Sequence, residues 1–397
     1  MTEVSPIVDL PNVTAPSSTS QAPLDVDTFD ACTCHDDGVG CSLHNSHEYL
    51  CRIELHQRLF CQRTQLPVTY MDAGDPDGVP LLFVLPSGCT RWVGIQLEPL
   101  ARRYGVRLIA LDRPGCGGTQ WVDLAERIDT SADMMLSVLE HLRIQIKHIM
   151  VASGGIYYAL RFLNRHARNV LHQDEDGSVY PRLYNIAPWS PVLTGDEGYF
   201  QPLNLVPTSL IKVQHQLLPT LIPALEFLGN AFEGSSMLVK DTRKRMPWWS
   251  GGVTEKQEKK IRARCRETFE GELWQTGHWE FIQNMINLEN LDGIGQEHLI
   301  CLNRGCHTGG EWFQRELEDL RNNIRDHVAL EQLPGAGRLE VETWWGDQDG
   351  MVPKKGQESL YRTESWPPEW LNKLFASKSD VMDYVVYHIK DGNHNDL

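Results

Sequence analysis

The sequence predicts an α/β fold, with a mostly parallel central sheet flanked by helices and interrupted by a helical cap insertion. Three observations predict it. From about residue 50, short apolar runs rich in Leu or β-branched residues alternate with amphipathic stretches, the pattern of strands that feed covering helices. Between about 191 and 310 this alternation gives way to a helical stretch dense in bulky residues, among them Trp248, Trp249, Trp274, Trp279, Phe281 and Met285. The strand pattern then resumes near the C-terminus, over 339–345 and 384–389. The chain therefore divides into a loosely structured tail with a Cys/His segment (1–47), a first core part (48–193), a helical cap (194–310) and a second core part (311–397).

The elements follow in order. Residues 1 to about 30 are rich in Ser, Thr, Pro and acid and lack apolar periodicity, so they bury too little surface to offset the entropy of ordering. Cys32, Cys34, Cys41 and His44 come next at C-x-C-x6-C-x2-H spacing. That spacing fits tetrahedral zinc poorly, and a loop of unpaired thiols is the expected reading. A strand over 66–71 ends at Ala73-Gly74-Asp75-Pro76, and a buried strand over 81–85 breaks at Pro86-Ser87-Gly88. A helix over 95–104 leads to a strand over 106–111. The next helix, over about 132–142, takes Thr130 or Ser131 as its N-cap and gathers Met135, Val138, Leu139 and Leu142 on one face. A strand over 148–152, a helix over 156–163 and a strand over 182–187 complete the first part. In the insertion, two basic patches at 240–245 and 256–266 read as solvated helix faces. After it, Phe313, Leu317, Leu320 and Ile324 recur at three and four residues, one apolar helical stripe.

Composition excludes several classes. Of 397 residues, 41% are hydrophobic and 23% charged, enough apolar material for a large core, so most of the chain is not of disordered type. Lys plus Arg number 37 against 53 Asp plus Glu, and the net charge of -16 opposes phosphate backbones and anionic lipid surfaces. Nucleic acid is not an expected partner. No apolar run reaches the roughly 18 residues of a membrane span, and the first residues lack the form of a signal peptide. The expected location is the cytoplasm, with the ten cysteines mostly reduced and no cofactor or metal required.

Chemistry concentrates at three places. Ile149-Met150-Val151-Ala152-Ser153-Gly154-Gly155 sets a serine between a strand and a helix, with two small neighbours that a tight turn requires and a helix N-terminus that favours negative charge. Trp345-Gly346-Asp347-Gln348-Asp349-Gly350 places two acids directly after a strand. Two histidines lie near the C-terminus, His388 inside a strand, where core packing is its reading, and His394 in Gly392-Asn393-His394. Loops after parallel strands meet at one sheet edge, so Ser153, an acid and His394 are expected there together.

With Asp112-Arg113-Pro114-Gly115-Cys116-Gly117-Gly118-Thr119, these segments resemble, in order, the α/β-hydrolase superfamily, in its capped serine hydrolase branch, from about residue 50 onward. The resemblance implies Ser153 as nucleophile, His394 as base and Asp349 as the acid that orients it, with Asp347 as the alternative acid. It also implies an oxyanion hole built from the Gly154 N–H and the N–H of Gly88 or Cys89. The implied activity is acyl transfer from an ester, thioester or amide of a small to medium apolar substrate. Two positions depart from the family pattern. Val151 stands where a small residue is usual, and Pro86-Ser87 replaces the usual His-Gly. They motivate a second expectation, a hydrolase-fold protein without turnover that binds a ligand or partner in the same cavity.

Overall fold

A computed structural model of the chain describes residues 49–175, 177–190, 206–212, 282, 285–286, 288–328, 338–346, 349, 352, 357 and 381–389. The strands are β1 (Gln57–Cys61), β2 (Leu66–Gly74), β3 (Val79–Val84), β4 (Val106–Leu111), β5 (His148–Ala152), β6 (His172–Gln173), β7 (Val179–Ile186), β8 (Leu339–Gly346) and β9 (Met382–Ile389). The helices are α1 (Arg91–Arg103), α2 (Arg127–Leu142), α3 (Gly155–Arg165), α4 (Ala167–Val170), α5 (Thr208–Lys212), α6 (Ile294–Cys301) and α7 (Gly310–Val328). All nine strands join one sheet in the order β1-β2-β4-β3-β5-β7-β8-β9, with the short β6 pairing β7 off that path. Only β2 on that path opposes its neighbours; from β4 through β9 every pairing is parallel.

Alternation along the strands divides the core between two faces, because successive side chains point to opposite sides of a sheet. Tyr70, Leu82, Val84, Ile109, Leu111, Ile149 and Val151 pack with α2, α3 and α7 on one face. Met71, Phe83, Leu85, Leu108 and Ala110 pack with Trp92 and Ile95 of α1 on the other. The expected stripe of α7 is buried, since Phe313, Leu317, Leu320 and Ile324 all lie in the first cluster. Each such side chain contributes roughly 1.5–3 kcal/mol by leaving water.

The strands over 106–111 and 148–152 run as the sequence predicts, and two helices begin earlier than local pattern indicates. Helix α1 starts at Arg91 because the Arg91 N–H, an orphan donor of the first turn, is taken by Asp112 Oδ1 at 2.6 Å. Helix α2 starts at Arg127, ahead of Thr130 and Ser131, because the Arg127 side chain is drawn into a buried ionic cluster. Strand β1, unmarked in the sequence, owes its form to antiparallel pairing with β2. The six cysteines among the described residues are free thiols. The Cys32, Cys34, Cys41 and His44 segment, the two basic patches and the tryptophans of the insertion lie outside the described residues. Among the described residues, no helix is long and apolar enough to cross a membrane.

Candidate active site

Ser153 follows the last residue of β5 and precedes α3 by one residue, with φ at +48°. A side chain in this left-handed region costs about 1–3 kcal/mol, and the surroundings hold it there. Its N–H donates to Ile186 O at 3.0 Å, and its carbonyl accepts from Trp189 N at 3.0 Å and Ile156 N at 3.3 Å. The two glycines have distinct tasks. A Cβ at Gly155 would lie 2.7 Å from both the Leu85 and Val84 carbonyl oxygens, so α3 abuts the end of β3 only without one. A Cβ at Gly154 would fall 2.1 Å from Ser87 Oγ and 2.9 Å from Cys301 Sγ. Val151, the departure from the family pattern, is fully buried in the core face beneath α3 and does not enter the turn.

Asp349 lies three residues beyond β8 and is buried. Its Oδ1 accepts the Val352 N–H at 2.9 Å, and its own N–H donates to Gly346 O at 3.2 Å. Gln357 staples the same loop, donating to Val352 O at 2.9 Å and Gly346 O at 3.3 Å. Strands β5, β8 and β9 all end at the same sheet edge, so Ser153 and Asp349 leave the sheet on one side. His388 sits in β9 opposite Trp345 of β8, as a strand residue. His394 and Asp347 lie outside the described residues.

The loop after β3 carries the expected oxyanion donors, and it is gripped by two charged side chains that sequence reading left unassigned. Arg113 Nη1 donates to Leu85 O and Nη2 to Pro86 O, each at 2.5 Å. Arg113 also meets Glu297 side-on, Nε to Oε1 at 2.5 Å and Nη2 to Oε2 at 2.8 Å. Glu297 Oε2 in turn accepts the Gly88 N–H at 2.6 Å, and Oε1 accepts from Arg127 Nη2 at 2.8 Å. The Gly88 N–H is therefore committed to a carboxylate. Among the described residues no hydrogen bond engages the N–H of Ser87, Cys89 or Gly154.

Electrostatics follow from this packing. Burial alone would push the Glu297 carboxyl up, but Arg113, Arg127 and the Gly88 N–H together bring it down to about 2. Burial lowers His298 to about 4, against the pull of Glu297. Burial likewise raises the thiols of Cys89, Cys116 and Cys301 to about 12, which keeps them protonated and poor nucleophiles. Cys89 and Cys116 thus have the character of packing residues.

Helix α6 covers this loop with a single face. Ile294, Glu297, His298 and Cys301 recur at three and four residues. A Cβ at Gly88 would touch Ile294 at 3.7 Å and His298 Nε2 at 3.9 Å. Cys301 Sγ lies 3.4 Å from Ser87 Oγ, and Trp189 Nε1 donates to Cys301 O at 2.9 Å. The segment enters the helix through a close backbone passage, with Gly293 N–H on Gly115 O at 2.7 Å and Gly117 N–H on Asn290 O at 2.8 Å. Gly115 and Gly117 of the Asp112 to Thr119 motif serve this passage, while Gly118 packs on Thr69, a signal that the motif carries in sequence without naming its partner.

A sheet in the order β1-β2-β4-β3-β5-β7-β8-β9, parallel along that path except at β2, with a serine at φ +48° on the turn from its central β5 into a helix, decides the fold. The chain has the α/β-hydrolase fold. No family model matches the chain, and no curated protein matches it. Among solved structures, the chain is similar to a carboxylesterase of the ammonia-oxidizing thaumarchaeon Nitrososphaera gargenis, with 14% identity and a TM-score of 0.44 over 85% of this chain and 91% of that one. It is similar to an esterase from Exiguobacterium antarcticum, with 13% identity and a TM-score of 0.46 over 85% and 92%. A bromoperoxidase from Bacillus anthracis shares 16% identity with a TM-score of 0.43 over 85% and 92%.

Proposed function

We propose that the protein is a serine hydrolase that cleaves an ester, thioester or amide of a small to medium apolar substrate through an acyl-enzyme. The observation that carries the reading is Ser153, held at φ +48° on a strand-to-helix turn beside the N-terminus of α3. Ser153 Oγ attacks the acyl carbon while His394 takes its proton; His394 returns that proton to the leaving group, and water then resolves the ester. Asp349 orients His394 and stabilises its cation. Strand β9 lies three strand spacings from β5, roughly 14 Å. The five residues from Ile389 to His394 span up to about 17 Å when extended, which is sufficient reach. The negative oxygen of the intermediate takes the Gly154 N–H and a donor from the 86–89 loop. With the Gly88 N–H committed to Glu297, Ser87 or Cys89 supplies that donor, and Ser87 is favoured because Arg113 holds the carbonyl of its own peptide group.

One observation favours a second reading. A carboxylate already bonded to an oxyanion-loop N–H suits a hydrolase-fold protein that binds a ligand or partner in this cavity without turnover. A fluorophosphonate probe separates the two. Covalent labelling confined to Ser153 and abolished in Ser153→Ala is expected of the hydrolase. A folded protein that takes no label would sink that reading in favour of the binding protein.

A further inference from the structure

We propose that the Arg113–Glu297 pair is a positioning device for the oxyanion loop, through which helix α6 fixes the direction of the Ser87 N–H toward the acyl centre. The inference rests on the serine hydrolase reading and adds to it the residues that make the site competent. Residues 86–89 make no backbone-to-backbone hydrogen bond among the described residues, so their shape is imposed by side chains. One guanidinium and one carboxylate impose it on three peptide groups, since Arg113 holds the Leu85 and Pro86 carbonyls and Glu297 holds the Gly88 N–H.

The geometry of a peptide plane turns this grip into a direction. The Pro86–Ser87 bond is trans, so its carbonyl and N–H point opposite ways. Arg113 holding the Pro86 carbonyl at 2.5 Å therefore aims the Ser87 N–H away from the ion pair. The Ser87 side chain packs against Gly154, whose absent side chain leaves room for the hydroxymethyl, so the two residues are neighbours. In this proposal the Ser87 peptide is oriented by a pair of charges that bond neither to Ser153 nor to the acyl group. Arg113 and Glu297 are positioning residues, and the planar fork of arginine is required, because a lysine ammonium cannot serve two carbonyls and a carboxylate side-on at once. Glu297 is fully buried and Arg113 is 3% exposed, so salt leaves the grip largely unscreened.

The test measures phosphonylation of Ser153 in the full chain by a fluorophosphonate, resolving kinact from KI. In that reaction Ser153 Oγ bonds to phosphorus, the P–F bond breaks, fluoride leaves, and the serine proton passes to the base. The phosphoryl oxygen occupies the place of the oxyanion. In Glu297→Gln and Arg113→Lys, kinact is expected to fall by about tenfold to a hundredfold with KI changed by less than about twofold, the mark of a misaimed donor. A merely loosened fold would instead broaden thermal melting and weaken KI. Should either variant fail to fold, Glu297→Asp keeps a carboxylate between Arg113 and Arg127 while drawing it back from Gly88, and the same fall in kinact is expected of it. Wild-type protein labelled at Ser153 together with a folded variant of unchanged kinact overturns the positioning role alone. A folded wild type that takes no label overturns the hydrolase reading, and the positioning role with it.

Discussion

Ser153 occupies a backbone conformation in which glycine would rest without strain. Ser153→Gly is therefore expected to abolish labelling while raising the free energy of unfolding by up to about 1 kcal/mol. Ser153→Ala should abolish labelling with stability close to wild type. Urea titration of the three proteins checks this, and a destabilised Ser153→Gly would show that the turn is not strained. His298 carries a second expectation. Its folded pKa, lowered by burial to about 4, lies below the unfolded value near 6.5, so the stability it contributes is complete above pH 6.5 and is lost as pH falls toward 4. That loss amounts to about 3 kcal/mol. His56, His148, His166 and His172 are lowered in the same direction, again chiefly by burial. Melting temperatures from pH 7.5 to 4.5 should fall on acidification, and the gap between wild type and His298→Gln should narrow over that range. Ser153 was legible in sequence because its signal is local, a serine and two glycines on one turn. Glu297 was not, because its partner Arg113 is 184 residues away and the carboxylate's role exists only once they meet.

At the scale of the elements, the helix-to-sheet contacts that carry the site leave little tolerance. Gly155→Ala would drive a methyl group against two backbone carbonyls of the Val84 and Leu85 turn, neither of which can rotate away. It is expected to cost about 1–3 kcal/mol and to slow labelling of Ser153 by shifting α3 from the 86–89 loop. Chemical denaturation with labelling rates measures both, and a stable, fully reactive variant would count against the tight α3–β3 contact. Strands β4 and β5 could be read from their apolar runs, since burial on both faces leaves a continuous signal. The starts of α1 and α2 could not, because distant carboxylates draw Arg91 and Arg127 into the helices. Helix α6 has residues of every polarity buried, Gln296, Glu297 and His298 among them, so periodicity of hydrophobic residues does not reveal it.

For the whole molecule, strand order departs from chain order. Strand β7 pairs with β8 across more than 150 residues, and the parallel half of the sheet closes only when the C-terminal segment arrives. A chain ended at residue 337 would lose Leu339, Val341 and Trp345, all fully buried, at roughly 1.5–3 kcal/mol each, against a total domain stability of about 5–15 kcal/mol. No cooperative melting transition is expected of that fragment by circular dichroism, and a sharp one would show that residues 49–337 hold a core of their own. The alternation of strands and helices made the overall architecture legible, whereas the packing of α6 onto the 86–89 loop had no counterpart in the linear pattern.

The passage between Gly115 and Gly293 has a consequence for protein engineering. Two backbones cross there with hydrogens in place of side chains, and four residues later Glu297 reaches into the dry interior. A foreign segment transplanted in place of α6 without a glycine at 293 and a carboxylate at 297 would strand the cations of Arg113 and Arg127 without their counter-ion. Positions 113, 115, 127, 293 and 297 form one transferable set, so any chimera of this protein has to exchange all five together.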